Sequence, residues 1–198
     1  PDFIDIENVQ EKKEAFFNYL RPEVEKQTEY LLSLRHYIQT LQRQISLGET
    51  LTEDDQERVV WLVNEYKVDE DAEIDDQLQT LLRRVDILPV SLVLAQAANE
   101  SAWGTSRFAR KGYNFFGLWC FRKGCGFVPA RRTEGADHEV AKFPNLSKAT
   151  YTYMRNINRH NAYKELRTIR STLRSNQLPV TGVALAEGLM NYSERGIA

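Results

Sequence analysis

Glu100 is the side chain whose setting points most directly to chemistry. It closes the apolar run Leu92-Val-Leu-Ala-Gln-Ala-Ala-Asn-Glu-Ser-Ala-Trp-Gly104. A carboxyl set against apolar packing is desolvated, which disfavours its charged form and raises its pKa. That is the property of a general acid, which must still hold a proton near neutral pH. A lone Glu at a helix end ordinarily turns into water, but the helix before it and Trp103 just after it argue for burial. Cys120 and Cys125 are the second candidates and the only cysteines. Their spacing can close a small loop by a disulfide in an exported protein. A zinc site would need further soft ligands, and of the three histidines only His138 lies nearby. No metal and no cofactor is therefore expected.

The elements that must position Glu100 follow from the spacing of apolar residues. Pro89 suits the first turn of a helix, and Leu92, Val93, Leu94, Ala95, Ala97 and Ala98 make that helix apolar nearly all round, hence buried. Upstream, Val9, Phe16, Phe17 and Leu20 predict a short amphipathic helix over 6–20. Pro22 is expected to start a longer one, with a seam of Val24, Leu31, Leu34, Ile38, Leu41 and Ile45 and Gly48 as its C-cap. Thr52 opens the next helix, and Ile74, Leu78, Leu81, Leu82 and Val85 form the stripe of another. The acids of 69–76 read as a solvated turn, without the Gly and distant Glu of a calcium loop. Past Gly104, glycines and prolines break the chain into short pieces that predict a β lobe over about 114–143. Helices resume at Ser147, read as an N-cap, continue through 166–173, and a last one follows Pro179 with Val183, Leu185, Ala186 and Leu189.

Charge is divided between the halves. Residues 1–100 hold 10 basic and 22 acidic side chains, a net of −12, and residues 101–198 hold 16 and 6, a net of +10. Between Ser101 and Thr133 there is no acid and there are seven basic residues. Such a field suits an anionic partner or docking between the halves. Nucleic acid is disfavoured, because the bases do not line one recognisable helix. No stretch is long and apolar enough to span a bilayer. The opening Pro1-Asp-Phe, without a basic leader, reads as a mature or trimmed form, and the end at Gly196-Ile-Ala198 as one that has lost a tail.

Three segments carry a resemblance. Ala95-Gln-Ala-Ala-Asn-Glu-Ser-Ala-Trp-Gly104 resembles the Ala-Gln-Ala-x-x-Glu-Ser-x-Trp-Gly signature of the bacterial N-acetylglucosaminidases of glycoside hydrolase family seventy-three, the Bax-like proteins of Gram-negative bacteria among them. Asn114-Phe-Phe-Gly117 is similar to that family's Asn-Leu-Phe-Gly turn, and 143–153 to the segment that follows its small β lobe. The resemblance covers roughly residues 85–198. It implies a mainly α (α+β) fold, a lysozyme-like helical body over 86–198 with a small β-hairpin lobe. Residues 1–85 would be an N-terminal helical extension packed on it.

It also implies an activity: hydrolysis of β-1,4 bonds in the glycan strands of peptidoglycan, whose lactyl-peptide carboxylates would match the basic span. Glycosidic cleavage needs a proton for the leaving oxygen, which Glu100 would give, and a group to meet the positive charge at the anomeric carbon. Glu134, in Arg131-Arg-Thr-Glu-Gly135, stands where family members carry a Thr-Glu, and Asp137 and Glu139 are rivals. Alternatively the substrate's own 2-acetamido oxygen attacks, oriented by Tyr192, which resembles a late family Tyr although Ser193-Glu194 replaces the usual Ala-Thr. Pyranose faces pack on rings, so Trp103, Phe116 and Tyr151, with Asn114, are the expected substrate-binding residues; Trp119, Phe121 and Tyr153 are also available. The chain is expected to be a monomer in the periplasm or cell envelope. Two other activities stay open: a lytic transglycosylase-type muramidase, or a cell-wall-binding protein without turnover.

Overall fold

An unbroken buried stripe makes the first helix longer than the prolines suggest. Phe16, Leu20, Val24, Gln27, Leu31, Leu34, Ile38 and Leu41 recur at intervals of three and four and are all buried. Helix α1 accordingly runs from Val9 to Ser46 in the computed structural model, which describes residues 2–129 and 138–195, the last six by backbone alone. Pro22 lies inside α1 instead of starting a second helix. An interior proline removes one backbone hydrogen bond and costs about 3 kcal/mol. Burial of Leu20 and Val24 on either side offsets this at roughly 1.5–3 kcal/mol each.

The remaining helices are α2 (Glu53–Glu65), α3 (Ile74–Arg84), α4 (Val90–Ser101), α5 (Arg107–Gly112), α6 (Leu146–Arg159), α7 (Lys164–Ser175) and α8 (Gly182–Arg195). Thr52 caps α2 by accepting the Asp55 N–H at 3.2 Å. The cap of α6 is Asn145, which accepts the Lys148 N–H at 2.8 Å, where Ser147 was expected; Asn is as good an N-cap as Ser and stands first in the chain. Three short strands, β1 (Trp119–Cys120), β2 (Gly126–Phe127) and β3 (Glu139–Ala141), form an antiparallel sheet in the order β1-β3-β2. Trp119 pairs with Val140, and Gly126 with Ala141. The protein is thus mainly α with a small β lobe, the lysozyme-like layout expected. No helix among the described residues is long and apolar enough to cross a membrane.

The chain divides into two compact units, residues 1–27 with 90–154, and 28–89 with 155–198. The N-terminal 27 residues therefore belong to the unit that contains Glu100. Phe3, Phe16, Phe17, Tyr19, Trp103 and Phe115 form a ring cluster in it, mostly edge-on at 5.4–6.2 Å between centroids. Arg110 clamps the segment before Phe3 with two bonds to the Asp2 carboxylate, both 2.7 Å. Gly104 lies directly under Phe3: a Cβ there would collide with Cδ2 of that ring, at a φ of +77°. We expect Gly104→Ala to lower the unfolding free energy by about 2–5 kcal/mol, from overpacking and left-handed strain together. Urea denaturation reads this, and an unchanged midpoint would contradict the contact.

In the second unit Leu62, Leu78, Leu81, Val85, Leu88, Ile157, Leu166 and Leu185 are buried. α7 and α8 pack so closely that a Cβ on Gly188 would stand 2.6 Å from the Leu166 Cα. Asp86, 2% exposed, lies among Arg35, Arg170 and Arg174.

Candidate active site

α4 is buried through Leu92, Val93, Leu94, Ala97 and Ala98, and its last turn delivers Glu100 to the surface. The chain then reverses sharply. Ala102, Trp103 and Gly104 have φ of +50°, +57° and +77°, three left-handed residues in succession. Two of them carry a Cβ, and such conformations cost of order 1–3 kcal/mol each, the kind of strain that gathers at functional sites. Fully buried Ser101 holds the reversal: its hydroxyl donates to the Ala97 carbonyl at 2.6 Å and accepts the Gly104 N–H at 2.8 Å. The Glu-Ser-x-Trp-Gly run thus has a mechanical meaning, an acid followed by its own anchor and a turn.

The Asn-Phe-Phe-Gly turn meets this acid. A Cβ placed on Gly117 would lie 2.6 Å from Glu100 Oε2 and 3.4 Å from its carboxyl carbon. Glu100 is exposed, not buried as the apolar run before it suggests, because its helix ends at the surface; its carboxyl nevertheless lies against the Gly117 backbone, and desolvation raises its pKa. Among the described residues no hydrogen bond or ion pair engages the carboxylate. Gly117 has a φ of +62°, so a side chain there is disfavoured on two counts. Displacing a catalytic group by about 1 Å can cost on the order of 10²-fold in rate. Gly117→Ala should therefore lower kcat by about that factor; unchanged kcat on peptidoglycan would separate Glu100 from the turn.

Asn114 shapes that turn. It is 1% exposed, donates to the carbonyls of Leu118 and Ala141 at 2.8 and 2.9 Å, and accepts the Leu118 N–H at 3.0 Å. Phe116 is buried and stacked on Tyr153, with centroids 4.2 Å apart and planes 12° apart. Trp103, expected beside the acid, is turned by the left-handed run onto α1. It meets Phe16 and Phe17 edge-on, with the Lys13 ammonium 5.1 Å from its ring. Tyr151 is half-buried, and the Lys148 ammonium lies 5.2 Å from its ring.

Cys120 and Cys125 are joined by a disulfide. The Glu139 carboxylate lies within 4.8 Å of both sulfurs, but sulfurs bonded to each other are not thiolate ligands. Glu139 is itself buried, and its two oxygens accept the N–H groups of Gly124 and Gly126 at 2.9 and 2.8 Å. It pins the disulfide loop to β3, a duty that sets it apart from a free base. Glu134 and Asp137 lie outside the described residues, as does the side chain of Tyr192, whose backbone belongs to α8.

Two rings of the β lobe that lie outside the three resembling segments face outward. Trp119 is 57% exposed and Phe121 74% exposed. Trp119 stacks on His138 at 4.1 Å between centroids. Their signal in the sequence was position: β1 alternates, and the short cystine loop cannot bury its tip.

A family model described as mannosyl-glycoprotein endo-beta-N-acetylglucosaminidase, of the glucosaminidase family, matches residues 75–193, more than half of the chain. Protein bax of Escherichia coli (strain K12) is 32% identical over 190 residues, which cover 93% of this chain and 65% of that protein. The chain thus spans about two-thirds of the length of this curated relative. No solved structure matches it.

Proposed function

The chain belongs to the glucosaminidase family, and from that membership we propose that it is a glycoside hydrolase acting on peptidoglycan. Its reaction is endo-cleavage of β-1,4 bonds after N-acetylglucosamine, with Glu100 as the general acid. The observation that carries this reading is the Glu100 carboxyl resting on Gly117, desolvated and without a partner among the described residues. The raised pKa enlarges the protonated share of this carboxyl, and in that form it can give its proton to the leaving oxygen as the bond to the anomeric carbon lengthens.

The developing positive charge needs a second group. Glu139 is engaged by two backbone N–H groups, which leaves Glu134 or Asp137 as a base that activates water. The other route is the substrate's acetamide, oriented by Tyr192. Asn114 and Phe116 serve the site by shaping the turn under Glu100, while Tyr151, Trp119 and Phe121 offer rings to the glycan. Residues 86–198 would form the catalytic part, the remainder a helical extension, and the protein would work as a monomer in the cell envelope.

The test is the chemistry of the new chain ends. Purified peptidoglycan digested by the protein, reduced with borohydride and analysed by mass spectrometry, should carry N-acetylglucosaminitol ends. Anhydromuramyl ends would instead identify a lytic transglycosylase, and tight binding without new ends a wall-binding protein.

A further inference from the structure

The second compact unit contains a cleft that the proposed chemistry does not use. Its walls come from α1 through Arg35, from α3 through Gln79 and Arg83, and from α7 through Ser171 and Arg174, with Asp86 among them. Asp86 is the one carboxylate in this lining. It already faces Arg35 at 3.5 Å, Arg174 at 2.8 Å and the buried Arg170 at 3.8 Å. With Arg83 added, the lining holds three guanidinium groups against one carboxylate, an excess of two positive charges at an open cleft, and the buried Arg170 lies behind Asp86.

The hydrogen-bond donors are also unsaturated. Asp86 takes Nε and one terminal nitrogen of Arg174, at 3.1 and 2.8 Å, and leaves the other terminal nitrogen available. The hydrogen bonds of Arg35 all leave from a single terminal nitrogen, toward the carbonyls of Leu82 and Val85. Among the described residues the side chains of Arg83, Gln79 and Ser171 make no hydrogen bond or ion pair. Guanidinium forks match the oxygens of phosphate and carboxylate in pairs, and such charge-assisted bonds are the strong ones.

We infer that this cleft binds a small oxyanion, a phosphate or a carboxylate, held by Arg83, Arg174 and Arg35 with Ser171 and Gln79 as neutral donors. A carboxylate would come from the peptide stems of the wall, a source that rests on the proposed function; a phosphate would be free in solution. Binding is measured without turnover, so it stands or falls separately from hydrolysis.

The experiment is titration calorimetry on the full chain with two probes, inorganic phosphate and a soluble muramyl dipeptide. Arg83→Gln removes one free, exposed cation, and Arg43→Gln removes the same charge elsewhere on α1. Arg83→Gln should weaken binding about tenfold, the loss of one charge-assisted contact. Arg43→Gln should bind as the parent does, and all three unliganded proteins should melt together. Tighter binding of the dipeptide identifies the wall carboxylate, and binding of phosphate alone identifies the free ion; either supports the site. Binding of neither probe by the parent, or equal weakening by both substitutions, overturns it.

Discussion

Glu100→Gln should be the more heat-stable protein near neutral pH and at the same time the one that has lost activity. General-acid catalysis is worth about 10²–10⁴-fold, so kcat should fall by that order when the proton is no longer available. The stability change follows from the same desolvation. Burial raises the Glu100 pKa, so the folded state binds a proton more tightly than the unfolded one. The stabilising contribution is complete below the ordinary carboxylate pKa and is lost as pH rises through the raised value. At neutral pH the parent therefore carries a disfavoured charge that an amide does not. The melting temperature of the variant should exceed that of the parent at pH 7 and converge with it at pH 4. A variant that melts lower at both would show that the carboxyl holds the fold together.

The largest loss of stability is expected at Asp86, which belongs to the other compact unit from the proposed acid. Burial by itself raises the pKa of this carboxyl, but the hydrogen bond from Arg174 and the charges of Arg170 and Arg35 outweigh it and hold the value low. Arg170 is buried as well, and desolvation pulls its pKa down to about 10. Its guanidinium also donates to the backbone carbonyl of Ile87 at 2.9 Å and to Asn158 Oδ1 at 2.8 Å. Removing one partner of a buried charge pair leaves the other uncompensated, at a cost of about 3–5 kcal/mol. Asp86→Ala should show that loss in urea denaturation at neutral pH. The lowered pKa sets the acid dependence: the stabilisation is present above the ordinary Asp pKa and disappears as pH falls through the depressed one. The gap between parent and variant should therefore narrow in acid. Equal midpoints at neutral pH would contradict this role.

These two carboxylates also mark how far the sequence could be read. Glu100 was legible because its context is local: an apolar helix, a Ser to tie its end and a Gly to turn it lie within a few residues. The Thr52 cap and the closely spaced cysteines were legible for the same reason. Asp86 was not, because its partners Arg35, Arg170 and Arg174 are distant in the chain and follow no period. Pro22 misled because proline signals a helix start locally, whereas the stripe from Phe16 to Leu41 decides over a longer range. Trp103 and Phe116 are expected as sugar-binding rings, but their facing depends on a left-handed turn and on a stack with Tyr153 that spacing does not encode. Glu139 was one of three hairpin acids on paper, and only the Gly124 and Gly126 N–H groups distinguish it.

The role of Glu100 is tested most directly by the release of reducing ends from purified peptidoglycan sacculi, with parent and Glu100→Gln compared at equal folded concentration. With Glu100 as the acid, the parent releases N-acetylglucosamine reducing ends and the variant releases them at least about 10²-fold more slowly. Release by the variant at the rate of the parent would contradict it.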